Sequence, residues 1–317
     1  MAKVSDLKKE NVKAVRKCFF RGNTWSSNEI TAQTGLSHGS VINVLKQMEE
    51  NNEIKLFEKT GTSVGRKTNR YIINKDYCHF ITIDVKRNNG KFLSIIRRVN
   101  LMNETEDTME YQFPNRDENY LHYEIDTMME KYPDTCMILI STPGMCEDGN
   151  IMINEDMIFP VGTYIEEKWH IPYVIENDVN VACIGFNHEK QADNIAIVYQ
   201  ADNTIFGCGI MIHGKLYNGY SHASGELRFF PFMNDIKDKS AEELLKEQII
   251  SVSAVLNPDM IGYYSEVRKV TLCFDDISIP YRHRPSFMQI DDFDMCISNG
   301  LYSIGIYNLI ELTGGIK

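Results

Sequence analysis

Residues 173–180 read YVIENDVN: Tyr173-Val174-Ile175, then the polar groups Glu176, Asn177, Asp178 and Asn180 around Val179. The three apolar residues predict a buried strand. Polar groups crowding the C-terminal end of a strand mark the place where an α/β sheet holds a ligand. Asp178 is therefore open to three roles: a catalytic base, a hydrogen-bond acceptor for a ligand, or a residue with no chemical duty. A structural reading stands beside these, because Asn-Asp is also good turn and helix-capping chemistry. Asp178 would then cap a helix over 179–190.

Working outward, the same alternation continues. "CMILIS" (136–141) predicts a buried strand running into Thr142-Pro143-Gly144, and "TYIEEKWH" (163–170) a helix. "NIAIVYQ" (194–200) and "GCGIMIHGKLYNG" (207–219) each predict a strand. Upstream, "CHFITIDVK" (78–86) and "KFLSIIRRVN" (91–100) form a hairpin pair around Asn88-Asn89-Gly90, with "TMEYQFP" (108–114) as a third strand. Residues 118–133 predict a helix with Leu121, Ile125, Met128 and Met129 inward, the methionines serving as core. Three strands followed by a helix–strand alternation is the order of an actin-like, ribonuclease-H-like α/β domain.

The charge is divided. Residues 1–75 hold 14 Lys and Arg against 7 Asp and Glu, a net of +7, whereas the rest holds 19 against 37, a net of −18. A basic segment joined to an acidic body points to a module that meets polyanions. The 317 residues suffice for two or three domains, and 43% hydrophobic content supports sizeable cores. There is no long apolar run or leader-like start, so a cytoplasmic protein with no membrane contact is expected. Eight cysteines without a C-x-x-C pair argue for reduced, mostly buried thiols.

Within the basic segment, residues 5–21 predict a helix with Leu7, Val12, Val15 and Phe19 on one face, ended by Gly22-Asn23. Ser26 and Glu29 have capping-box spacing, with Ile30 and Ala32 inward, and Thr34-Gly35-Leu36-Ser37 makes a tight turn. Ser37 caps a second helix that buries Val41, Leu45 and Met48. His38, Ser40, Asn43 and Lys46 are left on its outer side, a polar and basic face suited to a major groove. "EIKLFEK" and "TNRYIIN" then form a hairpin whose tip carries Lys59, Arg66, Lys67 and Arg70. These features predict a winged helix-turn-helix over residues 1–76, with Ser37, His38, Ser40, Asn43, Lys46, Arg66, Lys67 and Arg70 facing double-stranded DNA.

Residues 77–317 carry a resemblance. "STPGMCEDGNI", "IPYVIENDVNVACIG", "IMIHGKLYNGYSHASGE" and "LNPDMI", in that order, resemble landmarks of the ROK family of repressors, open reading frames and sugar kinases. "GRKTNRYIIN" after a helix-turn-helix is similar to its regulator branch. The resemblance implies a two-lobed actin-like body with a sugar or sugar phosphate in the cleft, lined here by Gly144, Asn177, Asp178 and Glu226. In the family's kinases the Asp of the Asn-Asp pair is the base, which would be Asp178.

Departures from that pattern argue against an enzyme. The family's D-x-G-x-T stands here as Asp84-Val85-Lys86-Arg87-Asn88, without its Gly and Thr, and Val85 is expected to put a side chain where backbone would meet phosphate. In the second phosphate loop Asn203 and Ile205 replace glycines beside a bulky Phe206; the remaining Gly207 and Gly209 are open to a simple packing role. Glu226-Leu227-Arg228-Phe229 replaces E-x-G-H, so Phe229 stands for a His, the zinc-completing cysteines are missing, and the second lobe is expected to be shortened. No metal and no cofactor is expected. The expectation is a DNA-binding repressor of carbohydrate metabolism, a homodimer or homotetramer responding to a sugar or sugar phosphate. Its alternatives are a regulator whose body is only a dimerisation scaffold, and a sugar kinase.

Overall fold

The computed structural model describes residues 4–312, apart from 21–23, 61–67, 89–90, 114–118, 155–156, 203–204, 235–238, 268–269, 271 and 276. Its first part runs α1 (Val4–Phe19), β1 (Trp25–Ser26), α2 (Ser27–Thr34), α3 (His38–Glu50), β2 (Ile54–Thr60) and β3 (Thr68–Ile73). The Ser26–Glu29 capping box forms in both directions at the start of α2, and Ser37 Oγ accepts from the Ser40 N–H at 3.1 Å to start α3. Val15, Phe19, Ile30, Val41, Val44, Leu45 and Met48 form the shared core. Two expected core residues lie outside it: Leu7 and Ala32 are exposed. The buried side of α1 instead takes in Cys18 and Arg16. β1, β3 and β2 make a small antiparallel sheet, and the ending predicted at Gly22-Asn23 lies outside the described residues.

The body contains two five-stranded sheets. β4 (His79–Asn88), β5 (Lys91–Asn100) and β6 (Thr105–Phe113) form an antiparallel meander. α4 (His122–Lys131) then leads to β7 (Thr135–Thr142), which pairs parallel with β4. A three-stranded flap of β8 (Met145–Glu147), β9 (Asn150–Asn154) and β10 (Met157–Phe159) interrupts the path. α5 (Val161–Trp169) follows, and β11 (Tyr173–Asn177) completes the first sheet beside β7. After α6 (Asp178–Lys190) the plan repeats, with β12 (Ile195–Gln200), β13 (Phe206–Ile212) and β14 (Lys215–Leu216) as a meander. α7 (Ala241–Leu256), β15 (Met260–Ser265), β16 (Ser286–Gln289) and α8 (Phe293–Glu311) close the chain. The single strand expected over 207–219 is a hairpin, because the chain reverses at His213-Gly214, both at positive φ.

Layering follows from side-chain alternation. Ile81, Ile83 and Val85 of β4 face α4 and α5, whereas Phe80 faces α8. On the second sheet, Ala196 and Val198 face α7, and Ile195 and Ile197 face α6. The order is thus α4/α5, first sheet, α8 with α6, second sheet, α7. Each inner helix has crossed over: α6 follows the last strand of the first sheet yet packs on the second, and α8 does the reverse. They meet where side chains vanish. A Cβ on Gly185 would lie 1.8 Å from the Cys296 carbonyl oxygen, and one on Gly300 2.0 Å from that of Val181. No helix among the described residues is long and apolar enough to cross a membrane.

Candidate functional site

Two surfaces hold the residues singled out by sequence. On α3, His38, Asn43 and Lys46 are exposed and Ser40 half-buried, with the Ser37 hydroxyl tied to Ser40 as cap. Ile42, 44% exposed, lies beside Asn43 on the outward side, an apolar contact the residue pattern did not single out. Gly39 sits in the first turn of α3, where a Cβ would meet nothing within 4 Å, so no internal packing explains it. Arg70 is turned inward. Its guanidinium donates to Thr24 Oγ1 (2.9 Å), the Thr24 carbonyl (2.7 Å) and Glu29 Oε1 (3.0 Å), clamping β3 to the start of α2. Three such bonds remove it from the expected set of phosphate contacts. Arg66 and Lys67 lie outside the described residues.

At the end of β11, the cap of α6 is Asn177, not Asp178. Asn177 Oδ1 accepts from the N–H groups of Val179 (3.0 Å) and Asn180 (3.3 Å), and its Nδ2 donates to the Gly144 carbonyl at 3.0 Å. Gly144 holds φ +116, and a Cβ there would lie 2.8 Å from the Met152 carbonyl oxygen, so the turn demands glycine. Glu176 braces this corner, accepting from the Asn177 N–H (2.7 Å), Asn180 Nδ2 (3.0 Å) and Asn218 Nδ2 (3.5 Å). Asp178 opens α6 as its first residue. Glu226, three-tenths exposed, is paired with Arg228 at 3.0 Å, and Phe229 is 73% exposed with the Arg228 guanidinium over its ring. Gly225 links Glu226 to this corner: its carbonyl accepts from Cys208 N–H at 2.9 Å, next to the glycines on which α6 rests.

The floor between the lobes is closed by charge and by rings. Val85 does not stand where expected; alternation sends it into the α4/α5 core, and Lys86 takes the inner face. Lys86 Nζ lies 3.5 Å from Asp84 Oδ2 and is ion-paired with Asp294 at the start of α8. Burial pushes the Asp84 carboxyl up to about 6 against the pull of Lys86, and among the described residues Asp84 Oδ2 and the neighbouring Ser141 Oγ have no hydrogen-bond partner. Beside them Phe293 stacks on Tyr199 (4.7 Å) and Tyr264 (5.1 Å). Burial, then a 2.6 Å bond to Glu266, then the Asp178 carboxylate hold the Tyr199 phenol well above its ordinary range.

The surviving glycines of the second loop serve packing. Cβ atoms on Gly207 and Gly209 would meet Val179 of α6 at 2.9 and 2.5 Å. A cavity of about 340 Å³ opens at the ends of β15 and β16, lined by Tyr263, Tyr264, Glu266, Gln289 and Asp291, and by none of Gly144, Asn177, Asp178 or Glu226. Asp76, His79 and Glu106 do gather as a possible cation group, which sequence spacing did not suggest. Arg98 already donates to Glu106 (3.2 Å) and Lys55 faces Asp76 (3.6 Å), so local charge there is met without an ion.

With this geometry in hand, the family resemblance is borne out: residues 97–232 match the ROK family model. The chain is 25% identical over 233 residues to the xylose repressor of Bacillus spizizenii and over 235 residues to that of Bacillus subtilis, alignments covering 70% of this chain. It spans 60% of the length of these curated relatives. Among solved structures, a ROK-family transcriptional regulator homologous to the E. coli Mlc protein has a TM-score of 0.70 at 15% identity, over 97% of this chain and 98% of that one. Lmo2764 of Listeria monocytogenes, described as a candidate N-acetylmannosamine kinase, scores 0.56 at 14% identity over 73% of this chain and 99% of its own. These likenesses establish the mixed α/β fold.

Proposed function

We propose that the protein is a DNA-binding transcriptional regulator, a repressor in carbohydrate metabolism, acting as a homodimer or homotetramer. On this reading residues 1–76 are a winged helix-turn-helix and 77–317 its actin-like sensor. The observation that carries it is the exposed face of α3 (His38, Asn43, Lys46) within residues 1–75, of net charge +7. The similarity to a ROK regulator over 97% of the chain, against 73% for the kinase-like neighbour, supports the same reading of the first segment. The test is fluorescence-anisotropy titration of duplex DNA at several salt concentrations. Lys46→Ala should flatten the log–log salt slope by about 0.9, and Asn43→Ala should cost about 1–3 kcal/mol of discrimination between sequences. Gly39→Ala should stabilise α3 by up to about 1 kcal/mol yet weaken DNA binding, if glycine is there to let a phosphate approach. A slope unmoved by Lys46→Ala together with a preference unmoved by Asn43→Ala would overturn the reading.

The body reads as a sensor and not as a catalyst, because Lys86 and the Tyr199–Phe293–Tyr264 stack fill the floor on which phosphates would sit. Phosphoryl transfer depends on positioned phosphates. No heat of ATP binding is expected in calorimetry, and measurable heat would sink this part. On this reading Asp178, which also accepts from the Val179 N–H at 2.9 Å, and Glu226, paired with Arg228, take a sugar hydroxyl as acceptors, with Gly144 and Asn177 shaping the wall. Asp178→Ala and Glu226→Gln should abolish a sugar-dependent change in DNA affinity. A scaffold body with no effector is the second reading, favoured by how fully Asn177 and Gly144 are spent on each other (3.0 Å).

A further inference from the structure

α8 joins the two surfaces just described. At its start, the Asp292 side chain accepts from the Met295 N–H (2.8 Å), Phe293 is wedged in the aromatic stack, and Asp294 holds Lys86. At its end, Arg16 of α1 reaches in. Its Nη1 donates to the carbonyls of Leu312 (2.7 Å) and Leu309 (3.5 Å), while Nε and Nη2 fork onto Glu53 at 2.9 and 2.8 Å. Lys13 adds an ion pair to Glu311 at 2.6 Å. The last carbonyls of a helix have no partner of their own and carry the negative end of its dipole, so a buried guanidinium there is strongly held. Breaking one side of such a buried arrangement is costly. Between these ends, 19 residues span about 28 Å. α8 carries only two charged side chains, Asp294 and Glu311, and each is ion-paired, one at either end. Its flanks are apolar and glycine-bearing, at Gly300 against α6 and Gly305 against Phe80 and Leu139.

We infer that α8 mechanically couples the interlobe cleft to the α1–α3 module. An occupant that draws Lys86 away from Asp294 frees the start of the helix. Packed helices shift against one another by about 1–2 Å in such transitions. Arg16 then obliges α1 to follow or to give up its buried bonds. The coupling itself is a property of the fold; its consequence for DNA rests on the function proposed above.

Hydrogen–deuterium exchange on the full chain separates the two. Lys86→Met and Asp294→Asn, changes made at the far end of the helix, should each raise exchange in α1 about tenfold, while β4 and β7 amides keep their protection. The double variant should do no more than either single one, since both cut the same link. The coupling is overturned if exchange rises only near residues 292–300, if it rises equally in β4 and β7, or if the two changes add. Duplex DNA titration of the same variants reads the other question. Altered α1 exchange in a protein that binds no DNA would retain the coupling and refute the regulator.

Discussion

The two sheets share one strand plan and have put its first hairpin to opposite uses. In chain order within each sheet, both arrange their strands as three-two-one-four-five: β6-β5-β4-β7-β11 and β14-β13-β12-β15-β16. In the first sheet the inner face of the opening hairpin carries Asp84 and Lys86, a buried charge with its counter-charge. In the second, the matching inner face carries Gly207 and Gly209, bare backbone pressed against α6. One is stopped by an ammonium, the other by a helix. A shared fold thus says little about chemistry, which is decided by a few residues on the inner face of each hairpin.

The comparison breaks most violently at the helix crossing that both lobes share. Gly300→Val should cost on the order of 3 kcal/mol or more in urea denaturation, because its Cβ would lie 2.0 Å from a backbone carbonyl oxygen that cannot swing aside. A loss below about 1 kcal/mol would mean the lobes can separate freely.

Next comes the charged hairpin. The folded Asp84 carboxyl, raised to about 6 by burial, keeps a proton that the unfolded chain releases near pH 4. Its contribution to stability is therefore fully present below about pH 4 and lost as pH rises through 6. Asp84→Asn should stabilise the protein at pH 7 by up to about 2 kcal/mol and flatten the stability profile between pH 4 and 6. A steeper profile would show that the Lys86 pair outweighs burial.

The glycine hairpin should answer more mildly. Gly207→Ala, whose Cβ would first meet the side chain of Val179 at 2.9 Å, is expected to cost about 1 kcal/mol. Stability unchanged by it would return Gly207 to a ligand-facing role. Smallest in effect is a thiol count: of the eight cysteines only Cys273 is exposed, so one fast equivalent should react with a thiol reagent in the native protein. Several fast equivalents would mean that the inner layer breathes.

What could be read from sequence tracks periodicity. α4 announced itself through Leu121, Ile125, Met128 and Met129, all buried as expected, because only one side of that helix meets the core. α8 gave no such stripe. It is covered by α6 and the first sheet at once, so its apolar residues encircle it. The strands of the flap, three to five residues each, are too short to carry an alternation. In the site, strand parity decides between Val85 and Lys86, and chain direction alone could not say which of Asn177 and Asp178 would cap. By charge alone Arg70 belongs with the basic tip, whereas its partners Thr24 and Glu29 come from 46 and 41 residues away.

The exchange of α6 and α8 between sheets has a consequence for how the protein is made. When the ribosome has delivered β4 and β7, the face bearing Phe80 and Leu139 still lacks its cover, which is α8, more than 150 residues downstream of β7. At roughly 5–20 residues per second, that apolar face stays open for something like 8–30 seconds. The first lobe cannot finish as an independent unit on the nascent chain. When α8 follows, it closes the first sheet and meets Arg16 of α1 in one event.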